Sequence, residues 1–298
     1  MKTLTTAGLI LLSTIAANSA HANLEIFTCE PEWASLATEL GGDRVTVFSA
    51  TTGKQDPHHI EARPSLIAKI RRADLIICTG AELESGWLPV LLSKSGNEKI
   101  QVGRPGYFMA ADYVELLEKP STVDRSQGDV HAGGNPHIHT SPHNIASVAN
   151  ALSRRLMELD NTNQSAYSAA HTSFNQRWKA AIVRWEKQAE VIKHQSFAVD
   201  HKNWVYLANW LNVDMSTTLE PKLGIPPGTE YLAELIKAVD QKNIRKVIHA
   251  AYSNPRAARW LAERSNIKSI ELPYTVGGNG QVNNLFDLFD ETIRLLVN

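Results

Sequence analysis

Short apolar runs of strand length alternate along this chain with longer segments in which apolar residues recur every three to four positions. That alternation predicts parallel sheets connected by crossover helices. In the first half, Leu24 to Thr28, Val45 to Phe48 and Leu75 to Cys78 read as strands, with helices at Glu32 to Leu40 and Pro64 to Arg72. Pro64 suits a first helical turn, where its missing N–H leaves no bond unmade. The middle breaks the rhythm. From Pro142 to Leu159, and again from Asn163 to about Lys193, the period stays helical, with Leu152, Leu156 and Leu159 on one face and Trp178, Ile182 and Trp185 on another. Strands return at Phe197 to Val199, Lys246 to Ile248 and Ser269 to Leu272. Helices lie near Trp204 to Leu211, Tyr231 to Val239, Arg256 to Arg264 and Leu285 to Leu296. The expected fold is α/β with two lobes, residues 23–161 and 194–298, each a parallel-sheet α/β sandwich, joined by one long helix over residues 162–193. Leu219 to Gly228, with three prolines and two glycines, is expected to be a rigid irregular connection.

The N-terminus changes the expected compartment. Lys2 gives a positive start, Ala7 to Ala17 is a short apolar run, and Ala20-His21-Ala22 has the small-x-small cleavage pattern of a signal peptide over residues 1–22. The apolar run falls short of the roughly 20 residues that cross a bilayer as a helix. No Cys stands at the cleavage point to carry a lipid, so a soluble periplasmic protein is expected. About 276 residues remain, enough to bury a large core and divide into lobes.

A formal net charge of -1 supplies no field to draw nucleic acid or an anionic membrane, which leaves small ligands and proteins as partners. With two cysteines, Cys29 and Cys78, a four-thiolate zinc site is excluded. Both end strand-like runs, and an oxidising compartment permits either a disulfide or two buried thiols.

Histidine is where the chemistry concentrates. The chain has eleven, six of them between His58 and His143, mostly in loops that follow strands. Neutral imidazole is the commonest protein ligand for borderline metals, so the clustering points to metal binding. Asp56-Pro57-His58-His59 lies in a strand-to-helix loop, at the edge of a parallel sheet where ligands bind. His131, His137 and His139 share a loop, with glycines beside His131, and His143 lies beyond the turn that follows. His201 ends the first strand of the second half, the place His58 occupies in the first.

These residues resemble the solute-binding proteins of zinc and manganese ABC importers. Asp56-Pro57-His58 with Glu61 and Pro64-Ser65 is similar to that family's first-ligand motif, and Asn135-Pro136-His137 with Pro142 to its second. His201 followed by Trp204, Tyr206, Leu207 and Ala208 is similar to the third, and Glu220-Pro221-Lys222 with Gly224-Ile225-Pro226-Pro227 to a proline-rich segment found there. The resemblance runs over the whole chain after the leader. It implies that His58, His137 and His201 hold one ion between two lobes and that an ABC permease in the inner membrane receives it. Whether a zinc metallochaperone also takes part stays open; a monomer is expected. Members usually add a carboxylate from a late loop, but Pro273 to Gly280 holds no acid, so water, Asn279 or Glu30 is left for the fourth position.

Three imidazoles without a certain carboxylate favour Zn(II) as the transported ligand over manganese, which prefers more oxygen. His131 and His139 are expected to collect metal and pass it inward. A zinc hydrolase is the competing class, but there is no His-Glu-x-x-His helix and no evident general base beside the ligands.

Overall fold

The computed structural model describes residues 23–120 and 131–298; the expected leader over residues 1–22 lies outside them. The first half runs β1 (Leu24–Thr28), α1 (Pro31–Gly41), β2 (Val45–Ser49), α2 (Pro64–Ile70), β3 (Leu75–Cys78), α3 (Leu88–Ser95) and β4 (Tyr107–Met109). Two long helices follow, α4 (Pro142–Leu159) and α5 (Gln164–Ala189). The second half runs β5 (Ser196–Val199), α6 (Val205–Leu211), β6 (Asp214–Thr218), α7 (Thr229–Gln241), β7 (Lys246–Ala250), α8 (Arg256–Ser265), β8 (Lys268–Leu272) and α9 (Leu285–Val297).

The two sheets repeat one topology. Their orders are β2-β1-β3-β4 and β6-β5-β7-β8, and every pairing is parallel. In each, the chain steps to one side of its first strand and then crosses to the other, which opens a crevice at the carboxyl ends of the strands. Strands β4 and β6 have no counterpart in the hydropathy pattern. The first is only three residues long, and the second is an edge strand rich in Thr and Ser.

One core runs through both halves. Ile26, Ile77 and Phe108 of the first sheet, Phe197, Val199 and Ile248 of the second, and Phe174, Trp178 and Trp185 of α5 belong to a single buried cluster. At 1.5 Å per residue, the 26 residues of α5 extend about 39 Å, and its helical path continues as one 3-10 turn, Glu190–Ile192. Trp178 meets Phe286 and Phe289 of α9 edge-on, at 4.8 and 5.5 Å between ring centroids. Separate apolar clusters cover the outer face of each sheet. Apolar packing from sheet to sheet through α5 makes free hinging costly, because every separation would expose that shared surface.

Cys29, just after β1, and Cys78, at the end of β3, form a disulfide with Cα atoms 4.8 Å apart. Adjacent parallel strands bring the two positions level: Thr28 pairs with Ile77, one residue earlier on each. Among the described residues, no helix is long and apolar enough to cross a membrane.

Candidate metal centre

Each of three histidines is delivered by a backbone feature that its neighbours impose. His58 sits in the β2–α2 loop, where Asp56 Oδ1 accepts from the His58 backbone N–H at 3.0 Å and Trp87 Nε1 donates to the Pro57 carbonyl at 2.9 Å. His137 follows Asn135-Pro136. The Asn135 side chain accepts from the His137 N–H at 3.0 Å and donates to the Lys202 carbonyl at 2.9 Å, so this segment of the first half is tied to the second. His201 leaves the end of β5. The neighbouring Asp200 accepts from the N–H of His201 at 2.8 Å and of Ala250, on β7, at 2.9 Å.

The rings converge. Centroids are 5.3 Å apart for His58 and His137, 5.7 Å for His58 and His201, and 5.5 Å for His137 and His201. One nitrogen from each lies within 4.8 Å of the others. The remaining nitrogen of each ring faces oxygen: His58 Nδ1 is 2.8 Å from Asp56 Oδ1, His137 Nδ1 is 2.8 Å from the Tyr274 hydroxyl, and His201 Nδ1 is 2.6 Å from Glu220 Oε2. The two carboxylates keep the proton on Nδ1 of His58 and His201 and leave Nε2 as a free electron pair, and the Tyr274 hydroxyl can accept the same Nδ1 proton from His137; such partners are the usual support of a metal-binding imidazole. His58 Nε2 is buried with no hydrogen-bond partner, a costly state for a polar atom unless an ion supplies the bond.

Electrostatics divides the three. His137, 1% exposed, is pushed well below the ordinary histidine pKa by burial, then by the neighbouring His58 and His201. It therefore stays neutral and ready to bind. Burial also opposes charge on His201, but the Glu220 carboxylate outweighs it and raises the pKa. Burial likewise works against the Asp56 carboxylate, yet its hydrogen bonds and charge attraction with His58 hold it well below the usual range.

The other expected participants stand elsewhere. His131 lies beside the centre, its ring 5.4 Å from that of His58. His139 is wholly buried behind it, with Nε2 3.1 Å from the Tyr274 carbonyl and Nδ1 3.3 Å from Glu32. A sealed side chain cannot collect metal from solvent, so the capture role expected of His139 gives way to packing under Tyr274, whose ring it meets edge-on at 4.7 Å. Glu30 does not join the three rings either. It is buried, and its Oε2 accepts from Thr79 N and Oγ1 at 3.2 and 3.0 Å. Asn279 is turned to its own loop and to α9, accepting from Gln281 N at 3.0 Å and donating to Glu291 at 3.4 Å. The partners that sequence reasoning missed are Asp56, Glu220 and Tyr274. Asp56 carried a signal, since an Asp two residues before a loop His can reach both its N–H and its ring. Glu220 and Tyr274 meet their histidines only through the fold.

A two-sheet α/β protein that brings imidazoles from both sheets to one point has the build of a solute-binding protein for a divalent metal. A family model described as ZnuA, zinc-uptake complex component A periplasmic, matches residues 26–298, and the chain belongs to that family. Its members are extracytoplasmic substrate-binding proteins of metal ABC transporters and are not enzymes. The manganese ABC transporter substrate-binding lipoprotein PsaA of Streptococcus pneumoniae is 26% identical over 260 residues, covering 85% of this chain and 80% of that protein. The metal ABC transporter substrate-binding lipoprotein SsaB of Streptococcus sanguinis is 25% identical over 154 residues, 51% of this chain; the match spans about half of SsaB, 47%. A crystal structure of a zinc-bound ZnuA deletion mutant superposes with a TM-score of 0.77 at 20% identity, covering 93% of this chain and 97% of that one. That likeness establishes the fold.

Proposed function

We propose that this chain captures Zn(II) in the periplasm, holds it with His58, His137 and His201, and hands it to the permease of an ABC importer. The observation that carries this reading is the donor set: three imidazoles, each with an oxygen partner at Nδ1, and no carboxylate in the same group among the described residues. Nitrogen-rich, low-coordinate sites suit zinc, whereas manganese prefers more oxygen. PsaA, named for manganese, supports the alternative cargo. A competition titration of the apo protein with zinc and manganese separates the two, and tighter binding of manganese would overturn the zinc assignment.

Capture involves a small contraction. Tetrahedral zinc with bonds of about 2.0–2.1 Å sets nitrogens roughly 3.3 Å apart, and the three ligand nitrogens already lie within 4.8 Å of one another, so any contraction is at most about 1.5 Å. Read as lobes of residues 23–161 and 194–298 about a link over 162–193, the halves need only a modest approach, consistent with their shared core. The resulting surface change would let a permease tell loaded from empty protein. His131, on its glycine-flanked loop beside His58, is suited to meet the ion first. Replacing His131 by Ala is expected to slow loading while leaving stoichiometry at one ion; unchanged loading kinetics would remove that role.

A further inference from the structure

The metal centre is not enclosed on all sides. His137 is sealed in protein, but His58 and His201 also line a cleft of about 640 Å³ that opens between the β2–α2 loop and the second sheet. A water needs about 30 Å³, and pockets that bury small organic molecules hold roughly 300–1,000 Å³, so the cleft is far larger than an ion with its water requires. His58 is 9% exposed at its side chain and its unpartnered Nε2 marks the inner end of this space.

The walls have a definite chemistry. Pro226, Leu232 and Trp260 give an apolar side, while Ser253, Asn254 and Arg256, at the start of the ten-residue helix α8, give a polar one. The carboxylates that line the cleft are already engaged: Asp56 by His58, Glu220 by His201, and Asp200 by the N–H groups of His201 and Ala250. Arg256 makes no ion pair among the described residues, and its guanidinium offers a fork of donors suited to a carboxylate.

We infer that the cleft accepts a small chelating carboxylate, an α-amino or α-hydroxy acid, bound to the same ion as the histidines. The inference rests on the three-histidine reading above and extends it to the chemical form of the cargo. Three neutral imidazoles leave coordination positions on the cleft side, and zinc expands to five ligands, so two chelator donors fit beside three nitrogens. An amine–imidazole chelate of an amino acid such as histidine leaves its carboxylate free, and a polycarboxylic hydroxy acid keeps a second one; that uncoordinated carboxylate reaches toward Arg256 and Asn254, and the carbon skeleton lies against the apolar wall. The protein thereby takes the ion without first stripping it from a small-molecule complex.

Native mass spectrometry of the full mature chain, loaded with one equivalent of zinc in the presence of L-histidine or citrate, tests this. The expected species is protein plus one zinc plus one chelator, absent when acetate replaces the chelator. Arg256→Ala, an exposed position outside the metal ligands, is expected to lower the ternary fraction about tenfold while changing affinity for zinc alone less than about twofold. Zinc bound without chelator at every concentration overturns the inference and leaves the three-histidine reading standing. A ternary complex undiminished by Arg256→Ala overturns the assignment to this cleft. No zinc held under any condition removes the three-histidine reading itself.

Discussion

Glu220 Oε2 and His201 Nδ1 stand 2.6 Å apart, and the same carboxylate oxygen accepts the Gly224 N–H at 2.9 Å. One side chain thus orients a candidate ligand and pins the proline-rich loop beside it. Removing partners of this kind typically weakens metal binding 10–100-fold. Glu220→Ala is therefore expected to lower zinc affinity by about that factor, measured by competition with a chromophoric chelator. Because Glu220 also raises the proton affinity of His201, protons should compete with zinc for this ring, and the apparent zinc affinity should begin to fall on acidification already above the ordinary histidine pKa. Without Glu220 that loss should move to lower pH. An unchanged pH profile would show that the carboxylate does not tune the ring.

Gly53 fixes the approach of the two halves near the centre. A Cβ built there would lie 2.3 Å from Gly278 N and 2.4 Å from Gly277 C, so loop backbones from opposite halves are in direct contact. Backbone on both sides cannot yield as a flexible side chain would. Gly53→Ala is expected to cost about 1–3 kcal/mol in urea unfolding, the usual range for overpacking. It should also weaken zinc binding, since His58 lies on the same loop. A stable variant with full affinity would show that the contact sets neither property.

How much of this was legible beforehand follows from what kind of contact each feature uses. The paired strands and the long α5 announced themselves through local periodicity, and His58 and His201 through their positions after strands, although the two places do not match: His58 follows the edge strand β2, whereas His201 follows β5, the counterpart of β1. The edge strand β6 did not, because its two buried positions are Met215 and Thr217, and a buried Thr adds nothing to an apolar alternation. Cys29 and Cys78 could be placed near each other from strand order, but their bonding depended on a register that no local pattern states. Glu30 looked like a cleft residue because it follows β1 directly; burial against Thr79 turns it inward. Tyr274, reached from a loop 137 residues after His137, could only be found in three dimensions.

Glu30 and Glu84 form a buried carboxyl pair that makes stability depend on pH. Burial raises Glu84 to about 7, and burial and the Glu84 charge raise Glu30 well above its usual value. Acids whose folded pKa exceeds the unfolded one favour folding while protonated. Their contribution is complete below the ordinary glutamate pKa of about 4.3 and is lost as pH rises through the folded values. The apo protein should accordingly lose stability as pH rises from about 4.5 to 7 through Glu84, with Glu30 adding loss of the same sign. Glu84→Gln, which keeps an acceptor for the Thr79 N–H and removes the ionisation, should flatten that slope. A slope equal to wild type in urea denaturation at several pH values would assign it to other groups.

The central claim is that imidazoles from both halves meet around one ion, and extended X-ray absorption fine structure of the zinc-loaded protein counts them. The account predicts three imidazole nitrogens at about 2.0–2.1 Å, falling to two in His201→Ala. Fewer than three imidazoles in the wild-type spectrum, or a count that His201→Ala leaves unchanged, would contradict it.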